Sequence, residues 1–193
     1  MYRSCFHMVT YTYLCKKLAG DRRERWAPLH TASYELPREL AHMENFKVVD
    51  FNSLSESVQE LLKTASEVRK RAYIPYSNFA VGCAILTEEG KVYTGCNIEN
   101  STLSPTICAE RTAIGKTVCD GYTKFKSVAV VAHQQDFTAP CGVCRQTLSE
   151  FRGSDGDMDI FLGKPSHDKV LVTKLSHMLP LAYVSFTKDN IVS

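Results

Sequence analysis

From residue 51 onwards the apolar positions recur at intervals that separate helices from strands. Val58, Leu61, Leu62, Ala65, Val68 and Ala72 follow one another at three and four residues, a single apolar stripe running over several helical turns. Ser53 with Glu56 three positions later predicts a capping box at the start of that helix, and Pro75 predicts its end. Phe79, Val81, Cys83 and Ile85 alternate with other residues, the period of a strand. Glu88, Glu89 and Gly90 then read as a hairpin turn, and residues 92–96 as the returning strand. Residues 108–118 have the composition of a second helix, with Thr106 as its candidate cap. Residues 128–132 (Val-Ala-Val-Val-Ala) form a continuous apolar run suited to a central strand buried on both faces. Pro140 introduces a third helix over 141–151; two brief strands, 159–162 and 170–173, and a short helix over 175–179 complete the pattern. Short strands separated by helices predict an α/β fold, a three-layer helix/sheet/helix sandwich around a mixed sheet of about five strands.

Before residue 46 no period is sustained. Asp21-Arg-Arg-Glu-Arg25, Pro28 and Pro37 punctuate a stretch with few apolar groups to offset the entropy of ordering it. Residues 1–45 are therefore expected to be a flexible extension, and residues 46–193 a single domain with a short C-terminal tail. The first residues mix apolar, aromatic and basic types without the apolar core of a secretory signal. A cytoplasmic location is expected, with organelle targeting through the extension as the alternative.

Charge and length narrow the function classes. The 193 residues carry 23 Lys and Arg against 21 Asp and Glu, and residues 1–30 hold an excess of four positive charges, so the remainder is slightly acidic. A nucleic-acid groove is not expected of such a domain. Nor is a membrane span, because no run of about 18 apolar residues occurs.

The chemistry concentrates in Cys108-Ala109-Glu110 and in Pro140-Cys141-Gly142-Val143-Cys144. Cys141 and Cys144, three apart, share a helical face. Both cysteine groups stand at predicted helix starts, where free backbone N–H groups favour thiolate over thiol. Two helix starts aimed at one point would deliver three thiolates to one cation. With no fourth cysteine or histidine nearby, three ligands and an open position suit catalytic rather than structural zinc. Three thiolates leave a formal charge of −1 on such a centre, so a cationic neighbour is needed, and Arg111 and Arg145 are the candidates. Glu110 is placed for proton transfer at the same helix tip. The residues alone also admit a redox Cys-x-x-Cys pair, a structural zinc site, and Glu110 as a fourth ligand or an ordinary first-turn acid.

Cys108-Ala-Glu-Arg-Thr-Ala113, Pro140-Cys-Gly-Val-Cys-Arg-Gln146, Phe79-Ala-Val-Gly82 and Gly95-Cys-Asn-Ile-Glu-Asn100 together resemble the small cytidine deaminase family, from residue 51 to the mid-180s. The resemblance implies one zinc ion per chain on Cys108, Cys141 and Cys144, with Glu110 carrying a proton to N3 of the pyrimidine while water attacks C4. It implies a nucleoside substrate, cytidine or 2′-deoxycytidine, converted to uridine or deoxyuridine with release of ammonia in pyrimidine salvage. Asn97 and Glu99 would bind the ribose, Phe79 and Tyr183 would lie near the nucleoside, and Arg111 would damp the charge on the ligand sulfurs. Gly82 is expected where the hairpin passes close to the site. The family's members are commonly homotetramers with shared active sites. Ser101 and Leu103 depart from the pattern, which usually has a small apolar residue and an aromatic there. An inactive zinc-binding paralogue, a deaminase of another nucleoside and a polynucleotide deaminase are the alternatives.

Overall fold

The computed structural model describes residues 45–183. A six-stranded sheet runs β1 (Lys47–Asp50), β2 (Val81–Thr87), β3 (Val92–Cys96), β4 (Phe125–Ala132), β5 (Asp159–Gly163) and β6 (Lys169–Lys174) in the spatial order β1-β6-β5-β4-β2-β3. Its helices are α1 (Glu56–Arg69), α2 (Ala109–Cys119), α3 (Gly142–Ser149) and α4 (Leu175–Met178). Only β4 and β5 are parallel; every other neighbouring pair is antiparallel, so the sheet is mixed.

The central strand explains the layering. Along β4, Val128 and Val130 join a core cluster with Ala109, Ala113 and Leu148, while Ala129 and Val131 point the other way into a cluster with Leu61, Leu62 and Ala65. One face of the sheet is thus covered by α1 and the other by α2 and α3, because successive side chains of a strand alternate between faces. The three-layer expectation holds, and the strand count rises from about five to six. The additional strand is β1, which lies at the sheet edge and is largely exposed, with only Val49 partly buried. An edge strand needs no apolar alternation, so its four residues gave no periodic signal.

Several boundaries also move. The capping box does not form: Ser53 belongs to a single 3₁₀ turn (Phe51–Ser53) and donates its hydroxyl to Asp50 O at 2.6 Å, while Ser55 is the N-cap of α1. Helix α1 closes at Lys70, ahead of Pro75. Strand β2 starts at Val81 instead of Phe79, because Asn78 has a φ of 55° and breaks the extended run before it. Thr106 does not cap α2; Cys108 does, with φ −69° and ψ 154°, and Thr106 Oγ1 instead accepts the Asn100 N–H at 3.2 Å. The turn at Gly90 is as expected, with a φ of 79° and its N–H on Thr87 O at 3.1 Å.

Gly82 faces α1. A Cβ there would collide with Ala65 O and approach Arg69 N to 2.8 Å, so this glycine allows close helix-on-sheet packing. The proposed extension over residues 1–45 lies, but for its final residue, outside the described region. No helix among the described residues is long and apolar enough to cross a membrane.

Candidate metal centre and its surroundings

Two helix starts meet on the α2/α3 side of the sheet. Cys108 is the N-cap of α2, Cys141 is the N-cap of α3, and Cys144 is buried in the first turn of α3. Cys108 Sγ lies 3.9 Å from Cys141 Sγ, and Cys141 Sγ lies 3.6 Å from Cys144 Sγ. All three sulfurs fall within 4.8 Å of one another. Tetrahedral zinc with bonds of about 2.3 Å has sulfur–sulfur edges of about 3.8 Å, so these residues fit that ion in both chemistry and spacing.

The electrostatics of the cluster agree. The sulfur–sulfur contacts with Cys108 and Cys144, which outweigh burial, together with the backbone N–H groups of Cys144 and Val143, hold the Cys141 thiol far below its ordinary range. The same sulfur–sulfur contacts push Cys144 up, with burial adding to the rise, and the contact with Cys141 raises Cys108. A proton on any of these sulfurs competes with a cation for the same lone pairs. A divalent ion displaces the remaining protons, as metal binding to thiols does generally.

Glu110 sits in the first turn of α2 and is only 4% exposed. Burial pushes its carboxyl up; its own backbone N–H opposes this, and the charge on Cys141 adds to the rise. A carboxyl with raised proton affinity beside a candidate metal centre is equipped to accept and return a proton. Arg111 donates from Nη2 to Thr106 O at 3.0 Å and to Cys108 Sγ at 3.9 Å, so its charge reaches one sulfur of the cluster. Arg145, the other candidate for that role, hydrogen-bonds backbone instead: Nε to Pro140 O at 2.7 Å and Nη1 to Met178 O at 3.0 Å.

The segment after β3 brings further residues to the same end of the sheet. Ile98 and Ile107 exchange both backbone hydrogen bonds at 2.9 Å, laying residues 97–99 beside the approach to Cys108. Asn97 is buried, and its carboxamide clips the entry to β2: Oδ1 accepts the Val81 N–H at 2.8 Å and Nδ2 donates to Phe79 O at 2.8 Å. Glu99 Oε2 accepts the N–H groups of Tyr76 and Ser77 at 3.0 and 3.2 Å. Burial pulls the Glu99 carboxyl up, but hydrogen bonds from the Ser77 side chain and from both N–H groups outweigh it, leaving the carboxyl below its ordinary range and ionised at neutral pH. Phe79 is half-buried next to this clip, its N–H on Ser77 Oγ at 3.0 Å. Tyr183 comes near α3 through its backbone, which is bonded to the Gln146 side chain.

Leu103 is 63% exposed with a φ of 61°, held in a loop where Asn100 Oδ1 accepts both the N–H and the hydroxyl of Thr102. Two further residues matter to which the sequence assigned no role beyond a place in the quoted motifs. Gly95 faces α2, where a Cβ would collide with Ala113 N and Ala109 O. A glycine inside an alternating strand was the available signal. Gln146 gave none, since its partner is 37 residues away.

Residues 55–156 match the family model described as the cytidine and deoxycytidylate deaminase zinc-binding region. A cytidine deaminase of Sporosarcina psychrophila is 45% identical over 134 residues, which is 69% of this chain and 94% of that protein. One from Halalkalibacterium halodurans is 40% identical over 127 residues, 66% of this chain and 94% of that protein. The crystal structure of a cytidine deaminase from Burkholderia pseudomallei superposes with a TM-score of 0.61 at 38% identity, covering 67% of this chain and 100% of that one.

Proposed function

The chain belongs to the cytidine and deoxycytidylate deaminase zinc-binding family, and from that premise we propose that it hydrolyses cytidine or 2′-deoxycytidine to uridine or deoxyuridine and ammonia, in pyrimidine salvage. The observation that carries this reading is the convergence of three cysteine sulfurs from two helix starts beside a buried glutamate. Cys108, Cys141 and Cys144 would hold zinc, which would supply Lewis acidity towards the water that attacks C4. Glu110 would take one proton from that water and deliver it to N3 of the ring, then take the second from the hydroxyl now on C4 and give it to the amino group, so that the C4–N bond breaks, ammonia leaves and C4 becomes a carbonyl. Because the aromatic ring must be broken for C4 to become tetrahedral, protonation of N3 contributes mainly in the transition state, where stabilisation accelerates the reaction. Arg111 offsets the surplus negative charge of three thiolates.

Asn97 and Glu99 bind the ribose in this reading. Nδ2 of Asn97 has a second hydrogen beyond the one given to Phe79 O, and the ionised Glu99 carboxylate has lone pairs left to accept a hydrogen bond from a ribose hydroxyl. An ionised carboxylate at the ribose repels a 5′-phosphate, so the nucleoside is favoured over the nucleotide. Phe79 and Tyr183 flank the nucleoside. Tyr73, Tyr76, Ile98, Leu103 and Ile107 are exposed apolar residues on the segments bordering the site, and a homotetramer with shared sites would cover them. The six described cysteines are all unpaired, in keeping with a reducing, cytoplasmic compartment.

The test combines zinc stoichiometry with ammonia release from cytidine, deoxycytidine, CMP and adenosine. One zinc per chain and turnover of the two cytosine nucleosides are expected. Glu110→Gln keeps zinc and fold and loses ammonia release; near-parental turnover in that variant would refute the mechanism.

A further inference from the structure

Arg145 and Gln146 follow the ligand Cys144 directly on α3, and both reach the C-terminal segment. The carboxamide of Gln146 lies against the backbone of Tyr183, with Oε1 accepting the Tyr183 N–H at 3.0 Å and Nε2 donating to Tyr183 O at 2.9 Å. This is the pair of bonds a neighbouring strand would offer one residue. The other hydrogen of Nε2 goes to Ser149 Oγ at 3.2 Å, and that hydroxyl donates back to Gln146 O at 2.7 Å. The amide orientation is thereby determined: reversed, it would set NH₂ against the Tyr183 N–H and an oxygen against its carbonyl. Arg145 adds a second attachment. One guanidinium bonds both Met178 O, at the end of α4, and Pro140 O, immediately before the ligand Cys141.

Helix α3 therefore offers metal ligands at its N-terminal end and grips residues 178–183 with its next turn. We infer that Gln146 is a positioning residue: its carboxamide straps the C-terminal segment to the metal-bearing helix and so fixes where Tyr183 stands relative to the nucleoside. The consequence for substrate rests on the proposed nucleoside reading of Tyr183; the strap itself does not. Gln146 touches neither sulfur nor proton in this scheme, so it acts on substrate affinity and leaves the chemical step alone. If the segment is seated only part of the time, the apparent affinity falls by the seated fraction.

The experiment uses the full-length zinc enzyme with Gln146→Ala and the shape-conserving Gln146→Met. Expected are faster exchange of the Tyr183 amide hydrogen, a KM for cytidine raised about tenfold, kcat within about twofold of the parent, and unchanged zinc content, since two hydrogen bonds of ordinary strength are lost. In a Tyr183→Ala background, Gln146→Met should raise KM no further, because both act through one ring. Unchanged exchange at Tyr183, additive effects on KM, or a loss confined to kcat would each overturn the inference. A parental enzyme that releases no ammonia from any nucleoside, while Tyr183 exchange still depends on Gln146, would refute the deaminase reading and uphold the strap.

Discussion

Gly95→Ala is the sharpest test of how the fold positions the metal centre. Gly95 lies on β3 directly under α2, the helix whose N-cap is Cys108. A Cβ added there would collide with Ala113 N and Ala109 O and lie 2.9 Å from Thr112 C, all of them backbone atoms of α2. No side-chain rotation relieves such contacts. Since carbon contacts settle at about 3.5–4.0 Å, the helix or the strand must retreat by about 1 Å. Overpacking of this kind costs about 1–3 kcal/mol, and the upper end applies where backbone meets backbone. At about 2–4 °C per kcal/mol for a chain of this size, the midpoint should fall by several degrees. The same retreat carries Cys108 away from Cys141, whose sulfurs are 3.9 Å apart, whereas zinc sites tolerate about 0.2 Å in each bond. Thermal unfolding with and without added zinc, and competition for zinc against a chelator, measure the two effects separately. Gly115→Ala on the same helix is the control: nothing lies within 4 Å of its added Cβ, and alanine improves helix propensity by about 0.5–1 kcal/mol. Parental zinc affinity and an unshifted midpoint in Gly95→Ala would show that contact between β3 and α2 does not set the position of Cys108.

Asn97→Ala leaves the Val81 N–H and the Phe79 carbonyl without their partner, at about 1–3 kcal/mol for each group that stays buried; denaturant unfolding should show the loss, and KM for cytidine should rise while zinc content stays the same. Glu99 gives a pH signature. Its folded carboxyl lies below its ordinary value near 4.5, so the stability it adds relative to Glu99→Gln is present above that value and declines as pH falls through the folded pKa; parallel urea titrations from pH 7 to pH 3 should converge, and a constant difference would refute the assignment. Removal of zinc by a chelator should lower the thermal midpoint yet keep the far-ultraviolet signal of the sheet, because both core clusters close through apolar side chains without a metal; cooperative loss of secondary structure on chelation at 25 °C would contradict that.

The sequence revealed the parts of this molecule whose logic is local. Strand β4 was legible because burial on both faces demands a continuous apolar run, and α1 because a helix covering one face of a sheet must carry an apolar stripe. The cysteine cluster was legible because Cys141 and Cys144 are one helical turn apart and Cys108 begins another helix. Strand β1 was not, since an exposed edge asks nothing of its side chains. The start of β2 was misplaced because Phe79 continues an apolar alternation while its backbone is held by the side chain of Asn97, eighteen residues later.

Several contacts that local pattern does not show share one physical form, a polar side chain hydrogen-bonded to the backbone of a distant segment. Asn97 holds Phe79 and Val81, Glu99 holds Tyr76 and Ser77, Arg145 holds Met178, and Gln146 holds Tyr183. Each occurs where a segment leaves regular structure and its N–H and C=O groups lose their ladder partners, so a side chain must satisfy them or water will. Hydrogen bonds of this kind specify position more than they add stability, because each replaces a bond to solvent for a net gain of about 1 kcal/mol. Apolar packing places the helix starts that carry the sulfurs, and these polar clips place the loops around them. Substitution at a clip on an exposed residue, such as Gln146 on Tyr183, should therefore change KM and loop exchange before it changes the melting midpoint, whereas at buried Asn97 stability falls as well, and Gly95→Ala should change the midpoint and zinc affinity together.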